Sequence, residues 1–308
     1  MTAVFLQFDL PSLLLGALAA VSCALVGNFL LLRRQSLMGD TISHVVLPGI
    51  VGGYLLVGTM STWAMMGGAG IAAVVSVVLI AVVRDLARVE SGAAMGLVFT
   101  TMFALGVVML EQSGARAIHL DVQHALYGNL ESAVWLKAET WGDLLVPEKL
   151  LALPAALWRL AIVAALVVGF VLILYKELKV ASFDPIFANN LGISSRAIDL
   201  ALITLTAITA VAAFEAVGSI LVIAMFVCPA AAARMLTDSL ARQIWLSAAI
   251  AIFSGIAGYL LAAFGPMWFG YASSLSAAGM IGVVAGLIQV LAMVFAPRYG
   301  ALATRRMA

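Results

Sequence analysis

Long apolar runs alternate with short polar or Gly/Pro-rich breaks along this chain, and the runs set the elements. Cutting at the breaks predicts helices near 10–32, 41–57, 63–83, 91–110, 157–175, 197–213, 216–236, 243–264 and 272–296. Each run is roughly 20 residues, the length a helix rising 1.5 Å per residue needs to cross a bilayer core. The pattern predicts an all-α polytopic membrane protein of about nine spans. The runs 197–213 and 216–236 share one tight turn around Phe214-Glu215-Ala216-Val217-Gly218, so a partly re-entrant segment, with eight spans, is the alternative. Residues 1–308 hold no flexible linker, low-complexity tract or soluble domain, and read as a single transmembrane domain.

Composition agrees with a lipid solvent. Hydrophobic residues make up 64% and charged residues 10%, against roughly 45–50% and 25% in soluble domains. A net charge of +1 points to no nucleic-acid partner. Cys23 and Cys228 both fall in apolar runs and read as small core residues, not as a disulfide or thiolate metal site. No Lys or Arg precedes Arg33, so the basic start of a cleavable secretory signal is missing and the first span is expected to be retained.

Charge also sets an expected orientation, because short cytoplasmic loops are enriched in Lys and Arg. With the N-terminus outside and the C-terminus inside, the inner loops hold Arg33, Arg34, Arg84, Arg88, Lys176, Lys179, Arg196, Arg234, Arg242, Arg298, Arg305 and Arg306, twelve of the 16 basic residues. The other four, Arg116, Lys137, Lys149 and Arg159, lie in or beside one external insertion, about 111–158. Its second half, Trp141 through Arg159, mixes tryptophans, charges, Pro147 and Pro154; it reads as an interfacial helix on the outer surface or as a loosely ordered loop.

Ionisable groups in or beside apolar runs mark the candidate chemistry, because lipid penalises them. Asp40 and His44 are four residues apart at the start of the second run, and on a helix they share a face. One carboxylate and one imidazole suit manganese, zinc or iron(II) better than magnesium or calcium, and two ligands alone make the weak site that transit requires. Asp40 as a helix cap and His44 as a satisfied core residue is the other reading of the pair. His119, Asp121 and His124, flanked by Glu111 and Glu131, form a second candidate, either gathering metal at the entrance or simply solvated. Glu215 stands alone between two apolar runs, lining the path or solvated at the interface.

The inner loop 176–196 carries helix punctuation. Ser182 or Asp184 can cap, Pro185 suits a first turn and Gly192 an end, so a short helix about 184–192 is expected in the cytoplasm. No Gly-x-x-x-x-Gly-Lys-Ser/Thr phosphate loop and no His-Glu-x-x-His motif occurs. The chain is therefore not expected to bind and hydrolyse ATP by the usual loop, and no catalytic constellation points to an enzyme.

Four ordered blocks carry a resemblance that covers nearly the whole chain. They are Leu32-Arg33-Arg34-Gln35-Ser36-Leu37-Met38-Gly39-Asp40-Thr41-Ile42-Ser43-His44 with Pro48-Gly49, then Tyr127-Gly128-Asn129-Leu130, then Ser182-Phe183-Asp184-Pro185 with Leu191-Gly192, and Phe214-Glu215-Ala216-Val217-Gly218 followed by Pro229-Ala230-Ala231-Ala232-Ala233-Arg234. Together they resemble the manganese/zinc/iron ABC permease family. The resemblance implies a fold similar to the cobalamin-type importer permeases, in the bacterial inner membrane. It implies two permease subunits, two cytoplasmic ATPases and an external metal-binding protein, with the metal ion as cargo and no permanently bound cofactor. Asp40 and His44 would line the metal path. Asp184, Phe187, Asn190 and Gly192 would belong to the coupling helix gripped by the ATPase. The insertion between Leu136 and Arg159 looks like that of the longer permeases that pair with a second, different one, which leaves homodimer and heterodimer open. Manganese is favoured slightly over zinc; an ion-coupled secondary transporter or channel is the rival class.

Overall fold

A computed structural model describes residues 2–59, 61–112, 130–268, 270, 275–297 and 299–303. The described residues contain helices and no strand. A π-helical turn, Phe5–Asp9, leads into α1 (Leu10–Leu32), followed by α2 (Met38–Val57), α3 (Thr62–Ala87) and α4 (Ser91–Gln112). After the insertion come α5 (Ala155–Ile173), α6 (Tyr175–Phe183), the short α7 (Pro185–Asn190), α8 (Ser195–Val217), α9 (Ser219–Leu236), α10 (Leu240–Trp268) and α11 (Ala277–Phe295). Among the described residues, eight helices are long and apolar enough to cross a membrane, and the apolar part of α9, Leu221–Leu236, is shorter.

The first span is the hub. Its most apolar window is 72% buried, against 28% for those of α4 and α5, so α1 forms the centre and the other two sit at the periphery. Small residues along α1 let neighbouring backbones approach, since helices in lipid associate through close packing and not through a hydrophobic drive. A Cβ on Gly27 would fall on the main-chain carbonyl of Phe226 in α9. Polar glue joins α1 to α10: the Asn28 amide donates to Ser247 Oγ at 2.6 Å, and Gln243 Nε2 donates to Asn28 Oδ1 at 2.9 Å, all three residues being fully buried.

The tight turn expected near residue 215 is instead one residue long. Helix α8 runs through Val217, and Gly218 takes φ 77° and ψ 160°, a conformation open to glycine alone, before α9 begins. The two helices then diverge, α8 packing on α1, α2, α3 and α5, and α9 on α1, α2, α10 and α11. At the other end of α10, Pro266 cannot donate to the Ala262 carbonyl one turn back. The main-chain N–H of Leu275 donates to that carbonyl instead, at 3.2 Å.

The insertion is neither a long interfacial helix nor a loose loop where it is described. Residues Trp141–Leu145 make a 3-10 turn and Pro147–Leu150 a single helical turn, while 155–159 already belongs to α5. Asp143 ties the segment into a knot. Its carboxylate accepts from the main-chain N–H groups of Glu139 (2.8 Å) and Thr140 (2.9 Å), and Lys149 Nζ lies 2.8 Å away. Trp135 anchors the knot to the body: its indole N–H donates to Lys149 O at 2.8 Å, its main-chain N–H donates to Gln7 O at 2.8 Å, and its ring is fully buried with Leu6 and Ala138.

Candidate metal site and coupling surface

Helix α2 begins at Met38, which puts Asp40 in its first turn, where a carboxylate is favoured by the helix dipole. The N-cap position belongs to Leu37, and no side chain caps this helix. Asp40 is therefore not a cap; its Oδ1 lies 3.4 Å from His44 Nε2, one turn further along. The Asp40 and His44 side chains are 37% and 33% exposed within the single chain, so the pair looks out of the subunit and not into its core. Among the described residues no group of three or more His, Cys, Asp or Glu side chains assembles.

Two aromatic rings hold the imidazole. Phe99 and Phe103, one turn apart on α4, have ring centroids 4.7 Å and 5.5 Å from that of His44, the second edge-on at 86°. Sequence reasoning missed both, because nothing local distinguishes them from lipid-facing phenylalanines. Pro48 is the other missed feature. It has no N–H to donate to the His44 carbonyl, so the turn bearing the imidazole lacks its regular helical bond. Below Asp40, the Phe226 ring fills the space beside Gly39, where a Cβ would meet Cδ2 at 2.8 Å.

The expected helix in the 176–196 loop is present as α7. Of the two candidate caps the structure uses Asp184, whose Oδ1 accepts from the Phe187 main-chain N–H at 2.9 Å; Pro185 occupies the first turn. Gly192 has φ 81°, the left-handed conformation that ends such a helix. Ala188 is the buried foot of α7, whereas Asp184, Phe187, Asn190 and Gly192 are all exposed. Ile186, Phe187 and Leu191 are 76%, 51% and 56% exposed, an apolar surface on a segment otherwise punctuated by polar residues.

His119, Asp121 and His124 lie outside the described residues. So do Tyr127, Gly128 and Asn129 of the second sequence block. Glu215 sits in the last turn of α8, three residues before the Gly218 break, and its side chain is outside the described set.

A bundle of membrane-length helices with a polar pair near a helix start and a short exposed helix between spans defines the membrane-embedded part of a transporter. The chain belongs to the ABC 3 transport family, whose model matches residues 6–136 and 145–296. It is 36% identical over 297 residues to the manganese transport system membrane protein MntD of Bacillus subtilis, with 96% of this chain and 95% of that one covered. It is 37% identical over 289 residues to the zinc transport system membrane protein TroD of Treponema pallidum, covering 93% of this chain and 74% of that one. Among solved structures it is similar to PsaBC from Streptococcus pneumoniae in complex with Fab, with a TM-score of 0.72 and 25% identity over 96% of this chain and 94% of that chain. The fold is that of an ABC permease spanning the membrane several times.

Proposed function

We propose that this chain is the membrane-spanning permease of an ATP-driven importer for a divalent transition metal, manganese ahead of zinc. The observation that carries the reading is the Asp40–His44 pair: an oxygen and a nitrogen ligand 3.4 Å apart, outward-facing, on a helix of a family member. Relatives described as manganese and as zinc transport proteins support both metals, and the donor chemistry accepts both. The metal is cargo; no resident cofactor is needed.

In this reading the N-terminus and the Asp143 knot face outside, and the helix ends carrying Arg33, Arg84 and Arg196 face the cytoplasm. A delivered cation displaces the His44–Asp40 contact, taking the carboxylate and the imidazole as ligands. Two permease subunits, identical or paralogous, meet across a two-fold or pseudo-two-fold axis and contribute half a site each. Such a site is open enough to release the ion. A separate cytoplasmic ATPase grips α7 through Phe187 and the neighbouring exposed apolar groups, and an external metal-binding protein delivers the ion to the outer face.

Uptake measured element by element in cells lacking this subunit, with and without the gene restored, tests the reading. Loss of manganese or zinc accumulation that is restored with the gene, and that stops when ATP is depleted, is the expected result. Uptake that persists without ATP and follows an ion gradient would assign the chain to a secondary transporter instead.

A further inference from the structure

We propose that Asp199 is a positioning residue that links the α7 coupling surface to the Asp40 turn, so that movement of one shifts the other. The proposal rests on the transport reading above. Asp199 lies in the second turn of α8 and gathers groups from two other segments, the α1–α2 junction and α3. Its Oδ1 accepts from Arg33 Nη1 at 3.0 Å and from Gln35 Nε2 at 3.2 Å; its Oδ2 lies 3.4 Å from Arg84 Nη1 on α3. Arg33 in turn donates through Nε to Ser182 Oγ at 3.0 Å, two residues before the Asp184 cap of α7.

The linkage toward the metal site is short and stiff. Gln35 takes its main-chain bond from the end of α1, donating to Leu30 O at 2.8 Å, and the Met38 N–H donates back to Gln35 O at 2.9 Å. Arg34 between them sits at φ 58°, a conformation an arginine adopts only when its surroundings impose it. Only four residues lie between Gln35 and Asp40. A displacement of Gln35 is thereby delivered to the first turn of α2.

Two observations mark the junction as able to switch. Arg33 Nη2 and Gln35 Oε1 are buried and make no hydrogen bond among the described residues, so the present pairing leaves a donor and an acceptor for a second one. Beside them a small cleft of about 40 Å³ is bounded by Met38 of α2, Val77 and Arg84 of α3, and Asp199 and Ile203 of α8. The start of α2 therefore borders a small unfilled space, enough for a side-chain rearrangement. An ion pair with side chains 8% and 18% exposed is shielded from solvent, so it responds to geometry and little to salt. A contiguous hydrogen-bonded network is a physical route by which one site biases another.

The test uses the assembled transporter reconstituted into liposomes, with manganese uptake and ATP hydrolysis measured on the same preparation. Asp199→Asn removes the charge at nearly constant volume. It is expected to keep hydrolysis near the wild-type rate while uptake per ATP falls roughly tenfold, within the usual range of coupling between sites. Asp199→Glu should restore a measurable part of the uptake per ATP. Wild-type uptake per ATP in Asp199→Asn would overturn the proposal, as would uptake and hydrolysis falling together in proportion to lost complex. If Asp199→Asn does not assemble, Ser182→Ala decides, because it deletes one half-buried hydroxyl and leaves the ion pairs in place. Reduced uptake per ATP in that variant supports the link, and unchanged uptake per ATP refutes it. A wild-type complex that moves neither manganese nor zinc under ATP would instead refute the transport reading and this proposal with it.

Discussion

Gly49 of α2 and Gly68 of α3 meet backbone to backbone: a Cβ built on either would fall onto the main-chain carbonyl of the other. Gly53 meets Ala64 in the same way one turn along, so two small-residue steps zip α2 to its neighbour. Gly68→Leu should force the helices apart. Overpacking typically costs about 1–3 kcal/mol, and an obstacle made of backbone puts the loss at the upper end. Gly70, with nothing within 4 Å of its Cβ position, provides the control. A thermal midpoint in detergent that drops for Gly68→Leu and stays put for Gly70→Leu is expected; equal midpoints would contradict the packing.

The Asp143 knot makes a pH-dependent statement. The Lys149 ammonium first, then the Glu139 and Thr140 N–H groups, hold the Asp143 carboxyl well below the usual carboxylate range. A depressed folded pKa stabilises above the unfolded value of about 3.9 and loses that stabilisation only as pH falls further toward the folded one. Hydrogen exchange of residues 135–151, corrected for intrinsic rates, should therefore be the same at neutral and mildly acidic pH. Asp143→Asn should exchange faster in that segment already at neutral pH. Loosening of the wild-type segment well above the carboxylate range would place the controlling group elsewhere.

Phe187 stands exposed on α7 with Ala188 buried beneath it, so Phe187→Asp changes the surface and spares the foot. The permease should still accumulate in the membrane. Co-purification of the ATPase and ATP-driven uptake should both fall severely, because in the proposed interface a charge would replace an apolar contact. Normal co-purification with normal uptake would remove α7 from the ATPase interface.

Orientation is open to direct labelling. A single cysteine placed at Thr2 should react with an impermeant thiol reagent on intact cells, and one at Ala308 should not. Background is low because Cys23 is buried and Cys228 half-buried, both within helices of the bundle. The reverse pattern would invert every inside and outside assignment made above.

Hydrophobic runs revealed the long helices to within a few residues, because a chain in lipid can satisfy its backbone in few other ways. Their ends were misjudged where polar residues extend a helix past its apolar run: Met38, Gly39 and Asp40 open α2, and α3 continues through Arg84 to Ala87. Asp40 and His44 were legible because their relationship is local, one turn of one helix. The Arg33–Asp199 pair was not, since it joins positions 166 residues apart. Its signal was present only as a lone carboxylate at the start of an apolar run. Phe99 and Phe103 carried no signal at all, because a phenylalanine against an imidazole and one against lipid look alike in sequence.

Metal uptake by variants of the outward-facing pair tests the central claim most directly. Asp40→Asn removes the anionic ligand at nearly constant volume, and His44→Leu removes the imidazole while keeping an apolar contact for Phe99 and Phe103. Both changes affect side chains about a third exposed, so neither should reduce the amount of assembled protein. The measurement is ATP-driven accumulation of manganese and zinc, element by element, normalised to assembled permease in the membrane. Loss of accumulation in both variants, at wild-type assembly, is the expected result. His44→Leu that assembles normally and transports at the wild-type rate would contradict the metal path through Asp40 and His44.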